Sequence, residues 1–582
     1  MKVIDIVKSL LPDGTNGSEF LEDADSYRPA HNDVLRCPIW PPDIFAVVGT
    51  LIERSSCYTE AGPKRDDPLS HIAYLEEIAT TVKQWSGDET YLFEVPARVQ
   101  ALWMIVVRAH GAIDITEVMA RQNEALVHND LVSALLLLFA LADEVCRGMG
   151  WDNHAEKNVF AALALGSFVN HARVPVGVPL LPYSPNSLCA LVPPSAAIVM
   201  PKTLTATVGC TIRSLSHHLA LLPAINQCRP TWALTNEPED DKAYKPIRLL
   251  VIPFPFSISA GSFSTTDDPV HLVDGIFTAA YFGLEQEWLQ IGKRKPLTAA
   301  LLFQYLVVPL LHHANAKDPA AVTGVVMPEC ALSETVANEL ARLMGSAGVS
   351  FFTTGILLPD AGKGKTRNVA KTYVLHERND PHQLEQFKHH RWRLDRGQCE
   401  QYGLDFHRLS RAEKWWEDID VSNRQLPFFA LRRYMSMTVL ICEDLARNDP
   451  AMSVVRAVGP NLVIALLMDG PQLSHRWPGK YATVLGEDPG SGVLSVTCAA
   501  MVDRSNHNRV GERKRVIGLW RSEGSAGTEI ALPDDHHAVL LDIHSRLVEQ
   551  HTLDTRPDAF DSRKLSLHRQ TPLKLEHPPK WL

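Results

Sequence analysis

Three short segments of the sequence each place a reactive side chain where a β-strand is expected to end. Glu329 closes the stretch VVMPE, Cys442 follows MTVLI, and Lys388 lies in QFKHHRW. In open α/β sheets, ligands bind at the carboxyl ends of the strands. A thiol that attacks a carbonyl or nitrile carbon needs a base for its proton and a donor for the developing charge. Glu329 and Lys388 are suited to those two roles, with Cys442 as the nucleophile.

Each of these residues also has an ordinary interpretation when it is taken alone. Glu329 fits a solvated turn, Lys388 a basic surface stretch, and Cys442 a small buried side chain. The adjacent His389 and His390 lack the i, i+4 spacing of a zinc-binding helix. The three residue types in this order along the chain favour nucleophilic catalysis over the separate ordinary readings.

The elements that must position these side chains begin near residue 247. Apolar runs bounded by turn residues alternate with helix-period segments, which predicts an α/β domain with strands buried on both faces. SETVANELARLMGSAG has a serine start and a glycine end, and Pro309 should kink the helix that contains it. The strand candidates are IRLLVIPFPFSI, VTGVVMPE, VSFFTTGILLP, MTVLICED, NLVIALLM and GVLSVTCAAMV.

The chain divides into four parts that differ in amino-acid composition and in residue pattern. Residues 1–172 predict a mainly α-helical domain, and residues 173–244 a proline-rich connector that includes a helix candidate, SLSHHLALL. The polar segment TNEPEDDKAYKP is the expected domain boundary. Residues 245–555 form the α/β domain, and residues 556–582 form a polar C-terminal tail.

Composition narrows the class of protein. The 582 residues are 45% hydrophobic and 21% charged, which is typical of a globular chain with several domains. A net charge of −10 disfavours nucleic acid as the main partner. The ten cysteines include no Cys-x-x-Cys pair, which indicates reduced thiols in a cytoplasmic protein. The longest apolar run, LVSALLLLFALA, is shorter than the about 20 residues that span a bilayer, so no membrane segment is expected.

Residues 245–555 resemble the nitrilase, or carbon–nitrogen hydrolase, superfamily. In that family a glutamate after a proline, a lysine and a cysteine occur in this order, as Glu329, Lys388 and Cys442 do here. The ICED form around the cysteine is similar to the glutamine-hydrolysing domains of the family. FFTTGI, GKTRNVAKTYVL with its Asn368, and HAVLLDIHSRLVEQ resemble further strands of these proteins.

The resemblance implies a four-layer α-β-β-α sandwich that assembles as a homodimer or higher homo-oligomer, with no metal or organic cofactor. It implies a covalent thioester or thioimidate at Cys442, formed from a small amide, nitrile or carbamoyl substrate. Glu329 would deprotonate the thiol and later activate water. Lys388 and the backbone N–H of Glu443 would hold the oxyanion.

Three features depart from the family pattern, and one is that the segment from Lys480 to Gly492 lacks the Arg-Ala-x-Glu-Asn text common in the family. The second glutamate expected soon after the lysine is missing at the usual spacing, and Glu400 is the substitute assignment. The interval from Lys388 to Cys442 is long, which predicts an insertion within LDFHRLSRAEKWWEDIDVSNRQLP. Its Trp415–Trp416 pair could form an active-site lid or a buried clamp, or it could belong to an ordinary packed surface helix.

Two other functions stay open from the sequence. The α/β domain could be a catalytically weak binding or assembly module that serves a protein partner through residues 1–240. It could also be an unrelated thiol enzyme of the Cys–His type. Nitrilase-like domains with added helical regions occur beside reverse transcriptases in bacterial antiviral systems, which makes antiviral defence a possible context.

Overall fold

A computed structural model provides the fold of the chain. The structure describes residues 1–15, 34–64, 66–86, 95–151, 186–206, 208–225, 227–234, 245–265, 280–292, 295–317, 321–359, 365–375, 380–406, 412–507, 513–559 and 561–582. Residues 235–244, which hold most of the expected domain boundary, lie outside the described residues.

Helices dominate the described N-terminal residues. They share one apolar core, in which the rings of Phe45 and Phe139 stack at 4.3 Å. A two-stranded hairpin, Ala197–Pro201 with Leu219–Pro223, packs on this core. The helices are Val3–Leu10, Pro41–Ser55, Pro68–Ser86, Ala97–Met104 and Asn129–Glu144.

The first large sheet has eight strands, and its central strands run parallel. Ile247–Val251 pairs in parallel with Gly324–Val326, which in turn pairs in parallel with Phe351–Pro359. Strands of this kind are buried on both faces, which explains their continuous apolar runs. Across the sheet the order is His382–Phe387, Thr366–Val374, Phe351–Pro359, Gly324–Val326, Ile247–Val251, Ala538–Leu547 and Arg563–Leu573, with Leu332–Ser333 beside Phe351–Pro359.

The second large sheet has seven strands. Its centre is the parallel trio Met435–Ile441, Leu462–Leu467 and Gly492–Thr497. Across the sheet the order is Thr528–Ala531, Val516–Arg521, Gly492–Thr497, Leu462–Leu467, Met435–Ile441, Gln425–Arg432 and Arg229–Leu234.

The two sheets pack face to face, because alternate residues of their strands share one core. Leu249 and Val251 of the first sheet cluster with Val439 and Ile441 of the second. The intervening Leu250 clusters with helical residues on the other face of its sheet. This period of two is the ordinary alternation of a strand. The α/β class predicted from the sequence is confirmed.

Helices cover the outer faces of both sheets. Against the first sheet pack Ala299–Leu302, Val308–Lys317 and Glu334–Ser346, and against the second pack Ser453–Val458 and Trp477–Glu487. Arg396–Tyr402 and Ala499–His507 pack together beside the sheet ends. Short 3-10 or π turns lie at Cys57–Glu60, Ile105–Ala109, Ile115–Glu117, Ile212–Leu215, Ala260–Ser262, Glu287–Leu289, Phe303–Val307, Cys442–Ala446 and Asn448–Met452.

Two signals read from the sequence act as expected on the helices of the first sheet. The Ser333 hydroxyl accepts a hydrogen bond from the N–H of Val336 and starts Glu334–Ser346. Pro309 has no N–H to donate to the preceding turn, and a π turn at Phe303–Val307 interrupts the helix just before it.

The remaining strands form small sheets. One has four strands, in the order Arg393–Asp395, Lys414–Glu417, Ala280–Leu284 and Phe263–Thr265. Two more are the hairpins Arg121–Gln122 with Ala125–Leu126 and Gln290–Ile291 with Lys295–Pro296. Within the described part of the chain, none of the helices combines the length and apolar character needed to cross a membrane.

Three segments differ from their sequence expectations. The expected tail contributes the strand Arg563–Leu573, which pairs antiparallel with Ala538–Leu547. The expected connector contributes Arg229–Leu234 to the edge of the second sheet. SLSHHLALL is not a helix: its second half lies in the Leu219–Pro223 strand. The Asp143 carboxylate accepts the N–H groups of residues 217–219, and these tertiary hydrogen bonds override the local helix pattern.

Candidate active site

Glu329 lies in a tight turn after the Gly324–Val326 strand. Pro328 cannot donate to the sheet, and its carbonyl instead accepts the N–H of Gly355 on the neighbouring strand. A Cβ at Gly355 would lie 2.5 Å from Cα of Glu329 and closer still to the nitrogen of Cys330. Only glycine at position 355 therefore lets the Glu329 turn pack against this strand.

Cys442 lies at the carboxyl end of Met435–Ile441, where the chain enters a short turn, Cys442–Ala446. Its φ is +46°, in the left-handed region that a non-glycine residue seldom adopts. Such strain is found at sites where function requires one side-chain direction. The thiol is buried, with 2% of the residue exposed.

Lys388 is held between two carboxylates. Its Nζ lies 2.8 Å from Oε1 of Glu329 and 2.6 Å from Oε2 of Glu417. The lysine and Glu329 are almost fully buried. An ammonium in such a place needs charged partners, because burial without them would cost several kcal/mol.

Asn368 and Trp392 complete the polar cluster. The Asn368 amide donates from Nδ2 to Glu329 Oε1 at 2.7 Å and to Glu417 Oε1 at 3.0 Å. The backbone N–H of Trp392 donates to Glu417 Oε2 at 3.0 Å. Glu417 thus accepts hydrogen bonds from three groups, and Lys388 is one of them.

This geometry corrects the assignment of the second glutamate. Glu400 is exposed on the Arg396–Tyr402 helix, and the second carboxylate on Lys388 belongs to Glu417. No apolar–polar alternation in the letters KWWE marks Glu417 as buried, and only the structure reveals its position. In the strand Lys414–Glu417, Trp415 and Glu417 are buried and Lys414 and Trp416 are less so, which is the alternation of a half-buried strand. The tryptophan pair therefore belongs to a strand and not to a surface helix.

Asp444 links the cysteine turn to the lysine segment. Its carboxylate accepts the backbone N–H groups of His389 and His390, each at 3.1 Å. These hydrogen bonds join the turn that carries Cys442 to the segment that carries Lys388, and so fix the two residues relative to each other. Glu443 directs its own carboxylate away to Arg447, with Oε2 2.6 Å from Nη2. Its backbone N–H, the second expected oxyanion donor, follows Cys442 directly in the chain.

The electrostatics of the cluster keep the proton on sulfur at rest. Burial raises the pKa of the Cys442 thiol, the charge of Glu329 raises it further, and Lys388 lowers it. Burial also raises the pKa of Glu329, which Lys388 opposes and Glu417 reinforces. Burial lowers the pKa of Lys388, but Glu329 and Glu417 outweigh it, so that the lysine stays charged. Burial raises the pKa of Asp444 to about 8, against the pull of its backbone donors.

One carboxylate oxygen of Glu329 has no hydrogen-bond partner among the described residues. Oε1 receives both Lys388 and Asn368, whereas Oε2 is buried and makes no hydrogen bond to any described residue. A buried oxygen without a partner is costly, and in native proteins it calls for an explanation. A proton acceptor that must stay available is one such explanation.

The arrangement brings together three of the predicted residues and leaves one out. Glu329 and Lys388 are in contact, and both act on the Cys442 thiol through their charges. The largest charge effects on that thiol come from Glu329, Lys388, Glu443 and Asp469, so a Cys–His pairing is disfavoured. Among the described residues, no group of three or more His, Cys, Asp or Glu is arranged to hold a metal ion.

No protein-family model and no curated protein matches the chain. Similar solved structures include Saccharomyces cerevisiae Nit3, a member of branch 10 of the nitrilase superfamily, with a TM-score of 0.28, 11% identity, and coverage of 57% of this chain and 91% of that one. A glutamine-dependent NAD(+) synthetase from Cytophaga hutchinsonii has a TM-score of 0.22 and 11% identity, and covers 56% of this chain and 43% of its own.

The superfamily of Nit3 is the one that the motifs of the sequence resemble.

Proposed function

We propose that the protein hydrolyses a non-peptide carbon–nitrogen bond of an amide, nitrile or carbamoyl substrate through a cysteine thioester. The observation that carries the proposal is Oε2 of Glu329, which is buried without a hydrogen bond to any described residue, although Lys388 and Asn368 both bond to Oε1 of the same carboxylate. The strained, strand-end Cys442 provides the thiol. We further propose that the two sheets and their outer helices form a four-layer α-β-β-α sandwich.

For an amide, the first half of the reaction forms the thioester. Glu329 takes the thiol proton while sulfur bonds to the carbonyl carbon, and the charge that develops on the carbonyl oxygen is held by Lys388 and the N–H of Glu443. When the oxyanion collapses, the carbon–nitrogen bond breaks, and the proton on Glu329 passes to the leaving amine.

The second half releases the acid. Glu329, again a carboxylate, takes a proton from water as the water oxygen attacks the thioester carbon. The carbon–sulfur bond breaks, the thiolate recovers the proton, and the carboxylic acid leaves. Glu417 and Asn368 position Lys388 and Glu329 and touch no reacting atom.

An alternative function, a binding or assembly module with little catalysis, is supported by one observation. Cys442 is 2% exposed and burial raises its pKa, so that a thiol in this state is a poor nucleophile. The antiviral context, the protein partner of residues 1–240, the homo-oligomer and the cytoplasmic location stay predictions.

Intact mass after acid quench separates the two functions. The wild type and Cys442→Ala are incubated with a panel of amides, nitriles and glutamine. Cys57→Ala is the control, because it removes a buried thiol that is far from Cys442 in the chain. The proposal expects an acyl adduct on wild type and on Cys57→Ala that is absent from Cys442→Ala. If no substrate in the panel gives an adduct or releases ammonia, the result favours the binding module.

A further inference from the structure

A cavity of about 490 Å³ lies outside the cluster of Glu329, Lys388 and Cys442, none of which lines it. Part of its wall is the loop Phe256–Ile258, which follows the Ile247–Val251 strand. Tyr402 and Ala500 add further apolar surface. Its volume lies within the roughly 300–1,000 Å³ of pockets that bind small molecules.

The topology places this cavity at the same edge of the sheets as Glu329 and Cys442. Ile247–Val251 is parallel to the strand that leads to Glu329. Gly492–Thr497, whose continuation carries Ala500, is parallel to Leu462–Leu467, which is parallel to the strand that leads to Cys442. Carboxyl ends of parallel strands meet at one edge, where ligands bind.

Tyr402 connects the cavity wall to the charged cluster of the candidate active site. Its ring lies against that of Trp392, with 6.0 Å between the ring centroids. The backbone N–H of Trp392 donates to Glu417 Oε2, which lies 2.6 Å from Nζ of Lys388. A molecule in the cavity would therefore lie next to the candidate active site.

The cavity contains a cation without an acidic partner. Arg504 forms no ion pair with any described residue; its Nη1 donates to the Ile258 carbonyl at 3.0 Å and its Nη2 to the Gly403 carbonyl at 3.1 Å. Its Nε is buried and makes no hydrogen bond to a described residue. The neighbouring Asp503 is neutralised by Arg515 through two contacts of 3.1 and 3.2 Å.

The two backbone carbonyls fix the guanidinium in place without cancelling its charge. Partial burial lowers the pKa of Arg504, and no acidic neighbour raises it. A half-buried guanidinium with spare N–H donors in a mostly apolar cavity is complementary to a carboxylate, which it can hold with two parallel hydrogen bonds.

We infer that Arg504 binds a carboxylate at the end of the substrate remote from the scissile bond, so that the enzyme acts on small anionic amides. This inference rests on the proposed function, since it names the substrate class of that site. The apolar walls contributed by Phe256, Ile258 and Ala500 would hold the carbon chain between the two ends.

The binding arm of the test does not require turnover. Calorimetry measures succinate and glutarate binding to Cys442→Ala, with butyramide as the neutral comparison. The dicarboxylates should bind at least tenfold more tightly than butyramide, and Arg504→Gln should remove that preference. Equal, weak binding of all three compounds would overturn the inference.

Ser257 provides a variant that leaves the hydrogen bonds of Arg504 in place. Ser257 is exposed in the cavity wall next to Ile258. Ser257→Glu adds a carboxylate that competes for Arg504 and should weaken dicarboxylate binding at least tenfold. Ser257→Gln adds a side chain of the same shape as glutamate without its charge, and it should weaken dicarboxylate binding far less than Ser257→Glu does. Equal effects of the two variants would contradict the role of charge.

The hydrolysis arm separates failure of the inference from failure of the proposed function. Monoamides of dicarboxylic acids of increasing length are each compared with the neutral amide of the same length. Faster hydrolysis of the acids, by tenfold or more in kcat/KM and dependent on Arg504, supports the inference. Equal rates overturn it and leave the hydrolase standing. Arg504-dependent binding without any hydrolysis overturns the hydrolase and keeps the cavity as an anion site.

Discussion

Two buried clusters in this molecule each hold a cation between carboxylates, and they differ in which polar atoms they leave without a hydrogen bond. In the first, Lys388 lies between Glu329 and Glu417. In the second, Arg556 joins the N-terminal helices to the C-terminal segment through Asp143 and other carboxylates.

The Arg556 cluster is saturated. The guanidinium lies 3.2 Å from Asp143, 2.5 Å from Glu144 and 3.0 Å from Asp554. Asp143 also accepts the backbone N–H groups of residues 217–219. No buried side-chain oxygen or nitrogen of these four residues lacks a partner among the described residues. Such a cluster fixes one arrangement of the chain.

The Lys388 cluster keeps two polar atoms unused. Oε2 of Glu329 and Oδ1 of Asn368 are buried without a hydrogen bond to a described residue. Cys442 adds a strained backbone next to them. The unused polar atoms of the Lys388 cluster are available to a reacting partner, whereas the Arg556 cluster has none to offer within the described part of the chain. The difference predicts that the Arg556 cluster contributes to stability and the Lys388 cluster to turnover.

The largest expected effect is on turnover. Glu329→Gln removes the proton acceptor but keeps an Oε1 that can receive Lys388 and Asn368. We expect ammonia release to fall by about 10²–10⁴-fold, as for loss of a general acid–base, while the free energy of unfolding changes little. Glu334→Gln, which alters a carboxylate 2.6 Å from Lys371 outside the site, is the control and should keep wild-type activity. Full activity of Glu329→Gln would instead favour a Cys–His enzyme.

The second effect is on stability. Arg556→Met leaves the carboxylates of Asp143 and Asp554 buried without a cation, and breaking a buried ion pair costs about 3–5 kcal/mol. Urea denaturation should show this loss, whereas kcat of the folded protein should stay close to that of wild type.

Arg342→Met is the matched control, since Arg342 pairs with Asp380 at 3.0 Å where both side chains are mostly exposed. Exposed pairs contribute little, so no measurable change in stability is expected. If the two variants lost equal stability, the Arg556 cluster would not have the structural role assigned to it.

The third effect tests the corrected glutamate. Glu417→Gln weakens the bond to Lys388, and a hydrogen bond to a charged group contributes about 1.5–3 kcal/mol, which corresponds to roughly 10- to 100-fold in rate. We expect kcat to fall by that factor with KM little changed. Glu400→Gln should have wild-type kinetics, because Glu400 is exposed on a helix. Steady-state kinetics that reversed this order would restore Glu400.

The sequence was informative where a residue's role depended on its own strand. Glu329 and Cys442 each follow an apolar run, and the structure places both at strand ends. Glu417 was missed because its position depends on the pairing of Lys414–Glu417 with Ala280–Leu284, far away in the chain. Local patterns carry no record of such pairings.

The same reason explains the other differences. SLSHHLALL has a helix-like period, but the Asp143 carboxylate binds its backbone from a distant helix. Arg563–Leu573 is polar on one face, so its sequence resembles a tail, although Leu565 and Leu573 are buried against the sheets. Tertiary contacts that satisfy the backbone outweighed propensity in both segments.

The smallest expected effect is a displacement of the pH profile, and it distinguishes charge coupling from simple positioning. Glu329 must be a carboxylate to act as base, so kcat/KM should rise with pH through the pKa of Glu329, which burial and the charge of Glu417 hold above the ordinary glutamate range. Lys388 must stay charged, so kcat/KM should fall at high pH through a lysine pKa that Glu329 and Glu417 raise.

Glu417→Gln removes the negative charge that raises the pKa of Glu329 and the pKa of Lys388. The pKa of Glu329 then falls because a repelling carboxylate is gone, and the pKa of Lys388 falls because an attracting one is gone. Both limbs of the profile of kcat/KM against pH should move to lower pH, whereas Glu400→Gln should move neither. A profile of Glu417→Gln that is lower in height but unmoved would mean that Glu417 acts only by holding Lys388 in place, and that its charge does not reach Glu329.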